Sequence, residues 1–323
     1  MKDVVDISKR NVAVDFVRFL ATILVLNSHM GVCYGNYSIL ATGGGIGDAL
    51  FFFISGFALF MGKRTDCLNW FKKRINRIYP TIIATGLVAS TFFDQQLGFL
   101  DVITADNYWF LQCIFVYYLL LYPIIYKRLR ISVCITVSIV IVIIAFFITD
   151  FDGRLFYGID NYFRWIFYLP IALIGGEMFN NNDKISYKRW HLLAVLLCIL
   201  GWYAINYISR YNEYLSIISF IPLAGICYFA YSIGKSAFVA QIFESKVIGN
   251  IIFIIGNLCL ESYMIQKYII TDSLNHIFPL NIPIVMVLVF VVSYLLRILA
   301  SIIGQIFDSK PFQWKALLLY KLN

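Results

Sequence analysis

The residues best suited to chemistry fall within one apolar stretch, NVAVDFVRFLATILVLNSHMGVC, residues 11–33. It is long enough to cross a bilayer as a helix, yet it carries Asp15, Arg18, Asn27, Ser28 and His29. Hydrocarbon offers buried charges no water, so such residues cost several kcal/mol each unless paired or wetted. At about 100° per residue, Arg18 and His29 share nearly the same helix face, roughly 16 Å apart along the axis, with Asp15 and Thr22 close to that stripe. A neutral imidazole there can take a proton from a hydroxyl nucleophile or attack a carbonyl carbon itself. Arg18 can hold an anionic or carbonyl group below it, with Asp15 fixing the guanidinium. The plainer alternative is a histidine that only hydrogen-bonds between helices.

Three further groups stand out. In KRTDCLNWFKKRINRIYP, residues 63–80, Lys72, Lys73, Arg74 and Arg77 crowd together before Pro80. Basic side chains at that position anchor to anionic headgroups. Arg74 and Arg77, at helical spacing, also form a fork of donors able to bind the phosphates of a nucleotide-like cofactor. No GxxxxGK[ST] loop accompanies them, which argues against an NTPase. In LFFFISGFALF, residues 50–60, Gly56 reads as a close helix approach, and Ser55 could line a tunnel. In GNLCLESYMIQKY, residues 256–268, Asn257 and Glu261 share a face, as do Ser262 and Gln266. Asn257 and Ser262 suit polar contacts between helices. Glu261 calls for a cation on another helix, with Arg18 and Arg297 the candidates.

The elements that must position these groups are membrane spans. The chain is 61% hydrophobic and 14% charged, far from the balance of a soluble domain. Apolar windows predict ten spans: 12–33, 44–62, 79–97, 109–126, 131–150, 163–180, 190–207, 215–233, 248–271 and 282–305. The first is too long and polar for a cleaved signal peptide. Of the 26 basic residues, 20 fall in the two tails and alternate loops. The others are Arg154, Arg164 and Arg210 in the opposite loops and Arg18, Lys267 and Arg297 within spans. The positive-inside rule then places both termini in the cytoplasm. The expected architecture is all-α: one polytopic bundle of about ten transmembrane helices over residues 1–323, without a fused soluble domain. Seven scattered cysteines and three separated histidines give no metal spacing and no disulfide framework. The net charge of +8 follows the loops, so it speaks for a bilayer and not for nucleic acid. His191 and His276, near span ends, read as surface residues.

Taken together, these residues resemble the membrane-bound acyltransferase-3 family, which acylates sugars and related hydroxyl acceptors. Arg18-x10-His29 resembles its first-helix pair, LFFFISGF (50–57) its FFxxSGF motif and RINRIYP (74–80) its RxxRIxP. YWFL (108–111) resembles its WFL box, and LESYMIQ (260–266) its S-x-x-Y-L-I-H/Q element. Two positions depart from the family pattern: Asp48 lies one residue further from the FF pair, and Gln266 replaces a frequent histidine. The resemblance implies an acyl-CoA donor, most simply acetyl-CoA, entering from the cytoplasm. Lys73, Arg74 and Arg77 would take its phosphates, and its pantetheine arm would thread past Ser55 toward His29. His29, Arg18 and Asp15 would form the catalytic group, with Asp48, Trp109, Glu261 and Gln266 on the substrate side. The implied acceptor is a sugar hydroxyl of a surface glycan or its lipid-linked precursor, at the plasma (inner) membrane. The oligomeric state is left open, a homo-oligomer included. The competing reading is a secondary transporter whose buried Asp, Arg, His and Glu relay protons. Inverted repeats would favour it, and none is readable.

Overall fold

A computed structural model describes residues 11–95, 99–105, 108–148, 163–306 and 311–318. Lys2, Lys9, Arg10, Arg154, Lys310 and Lys321, which entered the charge count above, lie outside them. Every regular element among the described residues is helical. In chain order they are α1 (Val12–His29), α2 (Gly31–Tyr34), α3 (Gly44–Met61), α4 (Cys67–Phe92), α5 (Phe99–Thr104), α6 (Trp109–Tyr126), α7 (Ile131–Ile148) and α8 (Phe163–Phe167). Then follow α9 (Leu169–Asn180), α10 (Trp190–Ile208), α11 (Phe220–Gly234), α12 (Ala237–Glu244), α13 (Ile248–Asn257), α14 (Cys259–Ile269) and α15 (Asn281–Ile306).

Seven of the ten expected windows coincide with segments long and apolar enough to cross a membrane: α1, α3, α6, α7, α10, α15, and α11 with the 3-10 turn Glu213–Ser219 before it. The other three fall on helices of a different make. Window 79–97 is the apolar half of α4, whose charged first half extends the same helix back to Cys67 through Pro80. Window 163–180 is divided at Tyr168 into α8 and α9, and window 248–271 at Leu258 into α13 and α14. Ahead of α13, α12 turns by 97°, so it runs across the bundle and not along it.

The first helix is central because its sides are apolar in several directions. Ala13, Val14, Val17 and Ala21 join one large core with α3, α6 and α9, while Leu26 and Met30 join a second with α4, α14 and α15. Around it pack α3, α11, α13 and α14. By contrast α7 and α10 bury only 22% and 11% of their apolar windows, which leaves long Ile, Val and Leu faces for lipid.

Gly56 and Gly175 bring α3 and α9 into backbone contact. A Cβ on Gly56 would overlap the Ala172 carbonyl, and one on Gly175 the Phe53 carbonyl. Neither neighbour is a side chain that can swing aside. Gly56→Ala or Gly175→Ala should therefore force the two helices apart and destabilise the bundle by about 1–3 kcal/mol. Thermal unfolding in detergent checks this, and an unchanged midpoint for both variants would contradict it.

Candidate active site

Asn11 starts α1 by accepting from the Ala13 and Val14 N–H groups, and its amide donates to the Tyr231 hydroxyl at 2.8 Å. One turn in, the Asp15 carboxylate, 4% exposed, lies 3.6 Å from the Arg18 guanidinium. The Thr22 hydroxyl is spent on the Arg18 carbonyl, 2.8 Å away. Asn27 donates to the Leu40 and Thr42 carbonyls at 2.9 and 3.0 Å and accepts from Tyr34 at 2.6 Å. It thereby pins the following loop to the end of α1. Ser28 donates to the Val25 carbonyl. His29 is the last residue of α1 and is exposed there.

Between the Arg18 level and the His29 level lies a narrow crevice with ≈ 150 Å³ of empty space, part of it open to the surroundings. Its walls are Thr22, Val25 and Leu26 of α1, Phe51 of α3, and Cys259, Ser262, Tyr263 and Gln266 of α14. Thr22, Val25 and Leu26 flank the Arg18–His29 stripe, so both residues belong by position to the crevice side of α1, while neither is a crevice wall. At the opposite end Cys259 lies in the fields of Arg18 and Arg77. Gly256 packs against Asp15, Arg18 and Phe19, and the Cys33 thiol donates to the Thr271 carbonyl, so α1 runs parallel to α13 and α14, with Gln266 near the depth of Asn27 and Ser28.

Glu261 is 1% exposed and meets Arg297 of α15 at 3.4 Å, while the Thr81 hydroxyl of α4 donates to the same carboxylate oxygen at 3.3 Å. Of the two candidate cations, Arg297 is its ion-pair partner. The pair ties α4, α14 and α15 beside the crevice without lining it. Among the described residues Asn257 and Ser262 make no side-chain hydrogen bond to another helix: they donate to the Phe253 and Cys259 carbonyls of their own helical turns. Both hydroxyl and amide find a nearer acceptor one turn back.

The basic stretch begins at Asp66, which caps α4 through the Asn69 N–H and amide. Those bonds hold its carboxyl below the usual carboxylate range. The capping contribution is therefore present above the ordinary carboxylate pKa and is lost as pH falls through the depressed value. Lys73 lies in the field of Asp66, at the start of the helix. Arg74 lies flat on Trp70, its guanidinium carbon 3.5 Å from the ring centre, and donates to the Trp70 carbonyl. Arg77 is exposed and reaches toward Cys259 at the crevice. Ser55 is not a crevice wall. Gly44 packs at Ser28 and Gly47 at Val25, so in that antiparallel register Ser55 falls near the depth of Arg18.

Asp48 and Trp109 belong to a second cluster, which includes a residue that charge counting assigned to a loop. Arg164, in α8, is 9% exposed, stacks 3.9 Å over Trp109 and interacts electrostatically with Asp48. Phe52 and Tyr168 complete the aromatic wall around Trp109. Tyr263, a crevice wall, senses both Asp48 and Arg164 and links the two groups. A basic residue at a window edge beside Trp165 and Phe167 is a signal for burial that the loop count overlooks. His191 corrects another expectation: it is 2% exposed, enclosed by Trp190, Tyr228 and Phe229. Aromatic neighbours at a helix start cover a ring that its sequence position would leave open. No cluster of metal-ligating side chains occurs among the described residues.

Charge pairs set inside long apolar helices define an integral, multi-pass membrane protein. Within that class the chain belongs to the acyltransferase-3 family, whose model, described as an acyltransferase domain, matches residues 11–301. No curated protein and no solved structure matches the chain.

Removing Arg297 would leave the Glu261 carboxylate buried with only Thr81 as donor. Arg297→Met should thus lower stability by about 1–3 kcal/mol, and adding Glu261→Gln should recover part of that loss. Thermal shift of the single and double variants checks it, and strictly additive effects would contradict the pairing.

Proposed function

We propose that the protein transfers an acyl group, acetyl in the simplest case, from acyl-CoA to a hydroxyl of a sugar in a surface glycan or its lipid-linked precursor. What supports the reading is the chain's membership of an acyltransferase family together with a crevice between α1 and α14 on the face of α1 that carries Arg18 and His29 by position, one of whose walls, Cys259, lies in the fields of Arg18 and Arg77. The ten apolar windows and the distribution of basic residues support a ten-span bundle with both termini in the cytoplasm, in the plasma (inner) membrane.

In this reading the donor phosphates meet Arg74, Arg77 and Lys73, and the pantetheine arm spreads the crevice between α1 and α14. The thioester then stands near His29. As general base, the imidazole Nε2 or Nδ1 takes the proton of the acceptor hydroxyl while that oxygen attacks the thioester carbonyl; the C–S bond then breaks, and the imidazolium returns the proton to the departing coenzyme A thiolate. As acyl carrier, it first displaces the coenzyme A thiolate and then yields the acyl group to the hydroxyl. Arg18, steadied by Asp15, offers its guanidinium to the thioester or the arm. Asp48 and Trp109, joined by Arg164, contribute aromatic surface and charge on the acceptor side, and Glu261 keeps α14 in register.

His29→Ala should retain the folded, detergent-extracted protein and lose acyl transfer by at least about a hundredfold, the range of general-base catalysis. Thiol release from acetyl-CoA and mass spectrometry of surface glycans measure it. Retained turnover would overturn the role of His29, and a protein that moves a solute while leaving the thioester intact would be a transporter. Arg74→Ala with Arg77→Ala should weaken coenzyme A binding in calorimetry by about tenfold or more, each charged contact being worth about 1.5–3 kcal/mol. Unchanged affinity would remove the phosphate site from this position.

A further inference from the structure

A ladder of aromatic rings leads away from the basic residues of α4. Tyr118, Tyr122 and Tyr126 recur at every fourth position of α6, so each stands one turn beyond the last and only about 40° further around the helix. Tyr118 is buried and lies in the fields of Arg77 and Arg74, which ties the inner rung to the proposed phosphate site. Tyr122, half-buried, packs on Trp70 and Phe71 of α4 with ring centres 5.5 and 6.2 Å away. Trp70 is the ring on which the Arg74 guanidinium lies. Tyr126 then stacks on Tyr122, 5.4 Å away and inclined by 24°, and is itself 56% exposed. Its position is thus fixed by a neighbouring ring while much of its own surface stays open. Lys127 and Arg128 follow it directly, both exposed.

We propose that Tyr126 is the stacking platform for the adenine of the acyl-CoA donor, with Tyr122 supporting it from behind. The inference rests on the acyl-CoA reading above and extends it from the phosphates to the base. A tyrosine at a span end with basic residues beside it also suits lipid headgroups. Two observations favour the nucleotide. Cations stand on both sides of the exposed ring, Arg74 and Arg77 toward the bundle and Lys127 and Arg128 beyond it, which matches a flat base whose sugar carries phosphates at two positions. Asp66 lies in the field of Tyr122, and a carboxylate on that rim repels a headgroup phosphate but accepts from an exocyclic amino group such as that of adenine. The reach fits as well. Two ring contacts separate Tyr126 from the ring that carries Arg74, a gap on the scale of a ribose with its diphosphate. Such a platform favours acyl-CoA over carriers that present the same pantetheine arm without a nucleoside.

The test is calorimetric titration of full-length protein in detergent with three probes: coenzyme A, adenosine 3′,5′-bisphosphate, which has the base and no arm, and 4′-phosphopantetheine, which has the arm and no base. Tyr126→Ala should weaken coenzyme A and adenosine 3′,5′-bisphosphate by about tenfold, the scale of one base–aromatic stack, and leave 4′-phosphopantetheine unchanged. Tyr126→Phe keeps the ring and should bind all three as the wild type does. If Tyr126→Ala leaves both adenine probes unchanged, the ring belongs to lipid headgroups, and if it weakens 4′-phosphopantetheine equally, the loss is general damage. Either result overturns the inference while the acyl-CoA reading stands. Wild-type protein that binds none of the three probes overturns that reading and this inference with it.

Discussion

A charge inside a bilayer must bring its partner with it, and this requirement shapes the whole bundle. Taking an ion out of water costs far more than any one packing contact returns. Each acidic residue that the chain sinks into its apolar helices therefore has a cation within reach: Asp15 with Arg18, Glu261 with Arg297, Asp48 with Arg164. The first pair lies within one helix and fixes only a side chain. The other two join elements far apart in the sequence, and so fix which helices are neighbours.

Those pairs explain why helices inside the bundle can be short and interrupted. Neither α13 nor α14 is long enough to span a membrane alone, and α8 is little more than one turn. Such pieces gain little from intrinsic helix propensity, and their stability comes from packing. Glu261 holds α14 to α4 and α15, and Arg164 holds α8 to the aromatic wall of Trp109, Phe52 and Tyr168. The long, uninterrupted α7 and α10 carry no such pairs among the described residues and lie at the periphery.

The apolar windows anticipated most of the helices because twenty apolar residues in a row leave few alternatives. Their interruptions were only partly legible. Pro170, in the first turn of α9, marks a new helix start just after Tyr168, whereas Leu258 is an ordinary residue for a helix and the break there depends on what packs beside it. The stripe of α1 was readable from spacing alone, since a helix converts residue number into direction. Arg164 was missed for the opposite reason. Counting charges treats a residue at a window edge as solvated, whereas this one is covered by the Trp109 ring of α6. Glu261 could be paired with a cation in principle, but choosing Arg297 over Arg18 required the position of α15.

The seam between α1 and α14 has an electrical side. A continuous file of hydroxyls and water from the Arg77 end of α1 to the His29 end would pass protons, and the membrane would lose its voltage through the protein. Thr22 and Ser262 turn their hydroxyls onto their own backbones instead, which takes two links out of any such file.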